Sequence, residues 1–238
     1  MSVGLAVLSG AAVGLVVAAL ARGGEDRRPD GRSSPPPLPP SAVPPKPAGA
    51  PFAEGIARPV WPVKTDHPRG RVLSYRGEDG KVRGNWARRF AAPRESSKGN
   101  RKHAGVDLFA FAGDEVLAMA DGTITAVQSF HLGSWAVFVD HGAFTVLYAE
   151  VDKGSWSRLG LGVGSSVRAG QPIAEVACMR RDEHGRCVSH MLHLETYRFG
   201  TKKNLRWYAD EAAPDALLDP SLVLLLAAHQ PGTSPAVA

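Results

Sequence analysis

From about Val72 onward, the sequence consists of short runs rich in β-branched and aromatic residues, separated by segments that contain glycine. Runs of this kind are typical of β-strands bounded by turns. They follow one another at intervals of roughly 8 to 20 residues, which favours antiparallel pairing in a barrel or sandwich over a parallel sheet with alternating helices. We therefore expect a mostly β, compact antiparallel domain with strands near residues 115–120, 123–127, 136–139, 144–148, 171–176 and 191–197.

Two flanking regions set the bounds of this domain. Ten of the 19 prolines lie between Pro29 and Pro51, so this stretch has too few apolar residues to bury a core. We predict a disordered proline-rich linker over residues 22–70 and a folded domain over residues 71–228. The apolar residues 222–228 predict a short helix docked on the sheet, and residues 229–238 predict a flexible tail.

The first 21 residues contain no charged side chain, and residues 3–21 are all small or apolar. This length approaches the roughly 20 residues that a helix needs to cross a bilayer. We expect residues 1–21 to form an apolar helix that is either a signal or a membrane anchor, which would place the domain in the cell envelope as a tethered or secreted protein. Arginines follow this segment, and no basic residue precedes it. The positive-inside rule would keep these arginines in the cytoplasm, which is the alternative orientation for the domain. A buried core helix is the less favoured alternative, because the linker follows directly.

Charge and cysteine content restrict the partners and the class of protein. The net charge of +5 permits an anionic partner such as cell-wall polymer, membrane surface or nucleic acid. Nine Lys or Arg face three acids between Arg76 and Lys102, which we interpret as a solvated loop and not as a nucleic-acid surface, because no RNA-binding motif accompanies it. With only Cys178 and Cys187, a disulfide-dense scaffold and a four-cysteine zinc ribbon are excluded. We expect these two cysteines to be bridged if the domain is exported; free thiols are the alternative.

Two short segments combine imidazole and carboxylate groups. In an extended chain, His103 and Asp107 point to the same face, as do His193 and Glu195. Two histidines and one aspartate can hold Zn²⁺ and leave a fourth position open, which is the arrangement that a hydrolytic site needs. By composition alone a hydrogen-bonded or exposed histidine is the commoner outcome.

The order of motifs along the chain makes the case more specific. His103-x-Gly105-x-Asp107 is followed by Gly113-Asp114-Glu115-Val116-Leu117-Ala118, Asp121-Gly122-Thr123-Ile124, Val139-Asp140-His141-Gly142, Tyr148-Ala149, Gly164-x-x-Val167-x-x-Gly170-x-x-Ile173 and His193-Leu194-Glu195. Over about residues 71–225 this string resembles the lysostaphin/LytM-type zinc endopeptidases of bacterial cell walls. The resemblance implies a β domain of the LytM type, zinc bound by His103, Asp107 and His193, and cleavage of peptides in peptidoglycan.

Two positions depart from the pattern of this family. Glu150 and Met191 stand where typical members have the two histidines that assist catalysis without binding the metal. A carboxylate near zinc can act as general base, so Glu150 is a candidate catalytic residue; an exposed carboxylate at a strand end is the alternative. His190 is a second candidate, although a regular strand would turn it to the opposite face unless a β-bulge intervenes. For His141 a structural hydrogen bond is the favoured interpretation.

Two functions follow from these residues. The first is a zinc-dependent peptidoglycan endopeptidase in which Glu150 activates water. The second is a degenerate LytM-type domain that binds cell wall or activates a partner hydrolase without cutting. The retained ligand trio favours a metal site. The glycine pattern near Asp121 and Gly170 also resembles a biotinyl or lipoyl carrier domain. Such a domain needs a modifiable lysine at a hairpin tip, and this chain has none between Lys102 and Lys153, so we exclude this class.

Overall fold

The computed structural model describes residues 59–95 and 99–228. The predicted segment 1–21, most of the predicted linker and the predicted tail 229–238 lie outside these residues. Within them the chain forms sixteen mostly short strands, two α-helices and two 3₁₀ turns. The strands are β1 (Val63–Lys64), β2 (Tyr75–Arg76), β3 (Val82–Arg83), β4 (Pro93–Arg94), β5 (Arg101–Lys102), β6 (Val106–Leu108), β7 (Glu115–Leu117), β8 (Gly122–Ser129), β9 (Trp135–Asp140), β10 (Phe144–Val151), β11 (Ser166–Val167), β12 (Pro172–Glu175), β13 (Arg180–Arg181), β14 (Cys187–Ser189), β15 (Leu192–Arg198) and β16 (Leu217–Leu218); the helices are α1 (Ser155–Arg158) and α2 (Ser221–Ala228), and the 3₁₀ turns are Trp86–Arg88 and His131–Gly133.

A seven-stranded antiparallel sheet forms the centre of the fold. Its order is β11-β8-β9-β10-β15-β16, and β6 also pairs with β15, next to the stretch that β16 occupies. A second sheet of order β1-β7-β12 and three two-stranded ribbons complete the structure. The mostly β antiparallel fold expected from the sequence is therefore confirmed, including the six strands predicted between residues 115 and 197.

Strand β10 shows why the central sheet is buried on both faces. All eight of its residues are buried. Val146 and Tyr148 pack into the larger hydrophobic cluster, whereas Leu147 and Ala149 pack into the smaller one on the opposite side. Because side chains alternate across a strand, an apolar run of this length predicts a strand covered on both sides. The burial holds β10 firmly beside β15, which carries His193.

The domain begins earlier than residue 71, so the predicted end of the linker was wrong. Trp61 and Val63 are buried in the core, and β1 pairs with β7. The indole Nε1 of Trp61 donates to the carbonyl of Gly70 at 2.9 Å. Pro62 directly precedes β1, an edge strand, where a proline does not interrupt a ladder. Its carbonyl still accepts a hydrogen bond from the amide of Leu117 at 2.8 Å.

Two further expectations about the chain are met. The predicted C-terminal helix is α2, which buries Val223, Leu224 and Ala227. Cys178 and Cys187 form a disulfide, with their Cα atoms 5.7 Å apart, across the ribbon of β13 and β14.

No helix among the described residues has both the length and the apolar character needed to cross a membrane.

Candidate metal and catalytic site

The three predicted ligands meet at the edge of the central sheet. Asp107 on β6 lies directly opposite His193 on β15. The segment before β6 brings His103 to the same point, because its backbone amide and carbonyl bond to Ala92 and Ala91. Nε2 of His103, Oδ1 of Asp107 and Nδ1 of His193 lie 2.8–3.1 Å from one another. The ligand trio predicted from the sequence is therefore assembled in the structure as a buried group that could hold a metal ion.

Gly105, the glycine between His103 and Asp107, is needed for this convergence. A Cβ atom at position 105 would lie 2.4 Å from the carbonyl oxygen of Leu194 and 2.9 Å from Cε1 of His193. Both distances are shorter than real Cβ contacts. Only glycine allows the two ligand segments to approach this closely, which explains the His-x-Gly-x-Asp spacing.

The outer nitrogens of both histidines are held by acceptors. Nδ1 of His103 lies 2.8 Å from the carbonyl oxygen of Arg89. Nε2 of His193 lies 2.8 Å from Oε1 of Glu195. A backbone carbonyl and a carboxylate accept hydrogen bonds, so each outer nitrogen donates, and each inner nitrogen is the atom that can bind a metal once it carries no proton. The two inner nitrogens and one carboxylate oxygen therefore face each other, an arrangement that attracts a proton or a metal cation.

Glu195 is itself fixed by its own partners. The hydroxyl of Tyr197 donates to Oε2 of Glu195. Nδ2 of Asn204 donates to both carboxylate oxygens, at 2.9 and 3.0 Å. Glu195 is buried, with 2% of its surface exposed. Such carboxylate–histidine pairs orient a ligand ring and raise its basicity. Burial opposes protonation of His193, but the hydrogen bonds that its ring donates to Asp107 and Glu195 outweigh it and raise its pKa to about 10.

Asp107 has a partner on each of its oxygens. Its Oδ1 faces the two histidines, and its Oδ2 accepts from Nη2 of Arg94 at 3.1 Å. Burial favours the neutral acid, but the hydrogen bonds from His103 and His193 dominate and hold the pKa of Asp107 far below its usual range. Burial lowers the pKa of His103. Asp107 is thus charged, and His103 is neutral, at physiological pH, which are the forms in which both bind metals.

Glu150 lies in a bulge of β10, next to the residue that pairs with His193. The register of β10 with β9 shifts between Ala149 and Val151, and Glu150 has a φ of +64°. This backbone conformation is uncommon for a residue other than glycine and occurs often at functional sites. The bulge breaks the alternation that would group the side chains of Tyr148 and Glu150.

The environment of Glu150 is unusual for a carboxyl group. Only 7% of the residue is exposed, and Oε2 has no hydrogen-bond partner among the described residues. Burial is the main cause that raises its pKa to about 7, with Asp107 adding to it and His193 and Arg88 opposing it. Glu150 is therefore within electrostatic range of the ligand trio, and it can gain or lose a proton near neutral pH. The alternative of an exposed carboxylate at a strand end is wrong.

The other histidines considered from the sequence have different contacts. His141 lies 3.0 Å from both the carbonyl oxygen of Asp121 and the hydroxyl of Tyr148, and burial lowers its pKa to about 4. This is the structural role expected for it. His190 lies just before β15; its Nδ1 is 2.6 Å from the carbonyl oxygen of Ala110 and its ring contacts Phe111. The catalytic role predicted for His190 stays a prediction.

Several supporting residues were not singled out as such from the sequence. Arg94 and the carbonyl of Arg89 come from the segment that precedes the first ligand, which the sequence suggested to be a solvated loop. The period of a strand placed Glu195 on the same face as His193, but the sequence assigned it no role. No spacing rule points to Arg94, since its contact with Asp107 depends on the pairing of β4 with β5.

Comparison with known proteins gives a family and several distant structures. Residues 101–205 match the model of peptidase family M23. Comparison with curated proteins finds no significant match. The catalytic domain of the antimicrobial peptidase lysostaphin from Staphylococcus simulans is 20% identical, over 52% of this chain and 80% of that chain, with a TM-score of 0.36. A zinc-containing peptidase from Vibrio cholerae is 21% identical, over 59% of this chain and 47% of that chain, with a TM-score of 0.33. In an NMR structure of lysostaphin, which is 21% identical over 53% of this chain with a TM-score of 0.37, the match spans 44% of that chain.

Proposed function

We propose that this chain, whose residues 101–205 match the model of peptidase family M23, is a zinc-dependent endopeptidase that cleaves peptides of peptidoglycan in the cell envelope. The motif string over residues 71–225 supports the substrate, because it resembles that of cell-wall endopeptidases. The apolar residues 1–21 and the proline-rich stretch support the location, since they suit a domain that is tethered or exported.

The observation that carries this proposal is the convergence of three metal-binding atoms, with the outer nitrogens of both histidines held by acceptors. Their separations of 2.8–3.1 Å approach the roughly 3.3 Å expected between donors bound about 2.0–2.2 Å from a tetrahedral zinc ion. His103, Asp107 and His193 would hold the ion and leave one position for substrate or water. When bound, zinc supplies a Lewis acid for the peptide carbonyl.

Glu150 is the residue that we assign to proton transfer. A general base works best when its pKa lies near the working pH, and burial raises the pKa of Glu150 to about 7. Its unpartnered Oε2 can accept a proton from the attacking water. The same carboxyl group can then donate that proton to the leaving amine, as general acid–base catalysis requires.

The test compares three proteins on purified peptidoglycan, with chelator or with added zinc, and identifies the released fragments by mass spectrometry. The parent should release peptide fragments only with zinc. Glu150→Gln should lower the rate by roughly 10²-fold or more with the zinc content unchanged. Glu78→Gln, at an exposed site outside the metal site, is the matched control and should cleave as the parent does.

A second function is favoured by one observation, the replacement of the two histidines of the family pattern by Glu150 and Met191. A domain of this kind would bind cell wall or activate a partner hydrolase without cutting. If the parent protein binds zinc and sediments with peptidoglycan but releases no fragment, the binding function is correct and the enzymatic one is wrong. Equal rates for the parent and Glu150→Gln would instead remove Glu150 from the mechanism.

A further inference from the structure

A group of cationic and aromatic side chains lies beside the candidate metal site, and the proposed mechanism does not use it. Its centre is Phe109, which follows β6 and is buried, with 5% of its surface exposed. The guanidinium carbon of Arg69 lies 4.2 Å from the centre of this ring, and that of Arg88 lies 4.0 Å from it. We call the group the cation–aromatic patch; its members are His67, Arg69, Arg88, Phe109, Phe111 and His190.

The aromatic rings join the patch into one surface. His67 stacks on Phe109 with ring centres 5.2 Å apart and contacts Phe111 at 4.9 Å. Phe111 in turn contacts His190 at 5.6 Å. Cation–π contacts hold a guanidinium group in place without neutralising its charge. The patch therefore presents positive charge in a fixed position.

Neither arginine of the patch is neutralised by an ion pair within residues 59–95 and 99–228. Nη1 of Arg88 is buried and has no hydrogen-bond partner among these residues. Burial is the main factor that lowers the pKa of Arg88; Asp107 opposes it, and the positive charge of Arg69 adds to it. Two like charges on one ring repel each other, and a bound anion would relieve both the repulsion and the unpartnered donor.

The acids near the patch leave room for such an anion. Asp107 is already engaged by Arg94 and the two histidines. Glu150 influences Arg88 electrostatically, but its Oε2 forms no hydrogen bond with it. Burial is the main factor that lowers the pKa of His67, and the nearby Arg69, His190 and Arg88 add to it. Asp114 opposes this shift. None of these carboxylates is bonded to a guanidinium group of the patch.

The position of the patch relates it to a peptide substrate. Phe109 lies two residues beyond Asp107, and two residues of extended chain span about 7 Å. A peptide whose bond lies at the metal site would therefore bring groups one or two residues away over the patch. We propose that the cation–aromatic patch is a subsite that binds a carboxylate of the peptide, either its C-terminal group or an acidic side chain. This proposal rests on the proposed peptidase function. Arg69 and Arg88 provide the donors.

The test uses two matched pairs of peptides. The first is N-acetyl-tetra-alanine with a free or an amidated C-terminus. The second is N-acetyl-Ala-Glu-Ala-Ala-amide and its glutamine counterpart. Binding to the metal-free full-length protein is measured by titration calorimetry, and hydrolysis is measured with the zinc-loaded protein. The variants are Arg69→Gln with Arg88→Gln, and Arg168→Gln, which lies just beyond the opposite edge strand β11 and serves as the matched control.

The parent and Arg168→Gln should bind the carboxylate member of at least one pair about tenfold more tightly than its amide, since hydrogen bonds to charged groups have this strength. The double variant should bind both members equally, with an unchanged circular dichroism spectrum showing that it is folded. The pair that shows the preference identifies the source of the carboxylate. Equal or undetectable binding by the parent, or a preference retained in the double variant, would overturn the subsite. A preference in these peptides together with no zinc-dependent release of fragments from peptidoglycan would leave the subsite in place and overturn the proposed peptidase.

Discussion

Glu150→Gln should stabilise the metal-free protein at alkaline pH but not at acidic pH. The parent carboxyl group is buried, with 7% of its surface exposed, and one of its oxygens has no partner among the described residues. Folding therefore favours the neutral acid over the charged carboxylate. Glutamine resembles the neutral acid in size and polarity, and it cannot ionise.

The magnitude follows from the pKa. Burial raises the pKa of Glu150 from 4.5 to about 7. A difference of about 2.5 in pKa corresponds to about 3 kcal/mol. Between these two values the folded state binds more protons than the unfolded state, so the free energy of unfolding falls as the pH rises. The stabilisation is complete below about pH 4.5 and is lost as the pH rises through about 7.

Urea unfolding followed by tryptophan fluorescence measures this effect, in chelator at about pH 5 and about pH 8. The difference in unfolding free energy between Glu150→Gln and the parent should increase by about 2–3 kcal/mol from the lower to the higher pH. The exposed control Glu78→Gln should show no such change. Bound zinc adds positive charge near Glu150 and lowers its pKa, so the increase should shrink when zinc is added.

An increase below about 0.5 kcal/mol in chelator would show that Glu150 is not held as a neutral acid in the folded protein. The assignment of this residue as a base poised near neutral pH would then lose its physical reason. An increase that zinc leaves unchanged would separate Glu150 from the metal site.

Three other outcomes can be checked directly. Glu195→Gln removes the carboxylate that holds Nε2 of His193, and it should weaken zinc binding about 10- to 100-fold in a chelator competition, whereas Glu211→Gln should not. His103→Ala, which deletes one of three ligands, should leave less than a tenth of the parent's bound zinc after dialysis against a weak chelator, as measured by atomic emission. Replacing Cys178 and Cys187 together by serine removes a bridge between residues nine positions apart and should lower the free energy of unfolding by about 2–3 kcal/mol in urea, while an unchanged midpoint would mean that the bridge adds no stability.

The ligand trio could be predicted because each ligand lies in a segment whose local pattern determines its direction. The two-residue period of a strand places His193 and Glu195 on one face. The same period, with Gly105 in the middle, aligns His103 with Asp107. Whether the two segments meet is a long-range property, and the sequence indicated it only through the resemblance to a family.

The features that escaped prediction depend on contacts between distant parts of the chain. The positive φ of Glu150 arises at a register shift between β9 and β10, and no residue type at this position signals it. The predicted linker extended to residue 70, yet Trp61 and Val63 are buried, and the edge strand β1 accommodates the neighbouring Pro62. Arg94 reaches Asp107 across a ribbon whose strands have only two residues each, too short a pattern to recognise in the sequence.

The candidate ligands and Glu150 lie on different strands, which affects how this site can change in evolution. The candidate metal ligands belong to β15, to β6 and to the segment before β6. Glu150 belongs to β10 and is not one of these ligands. A mutation at position 150 can therefore exchange the proposed proton-transfer group without replacing any of the three proposed ligands. In an evolving lineage, such a chain could pass between different catalytic bases, or through an inactive intermediate, without having to rebuild its metal site.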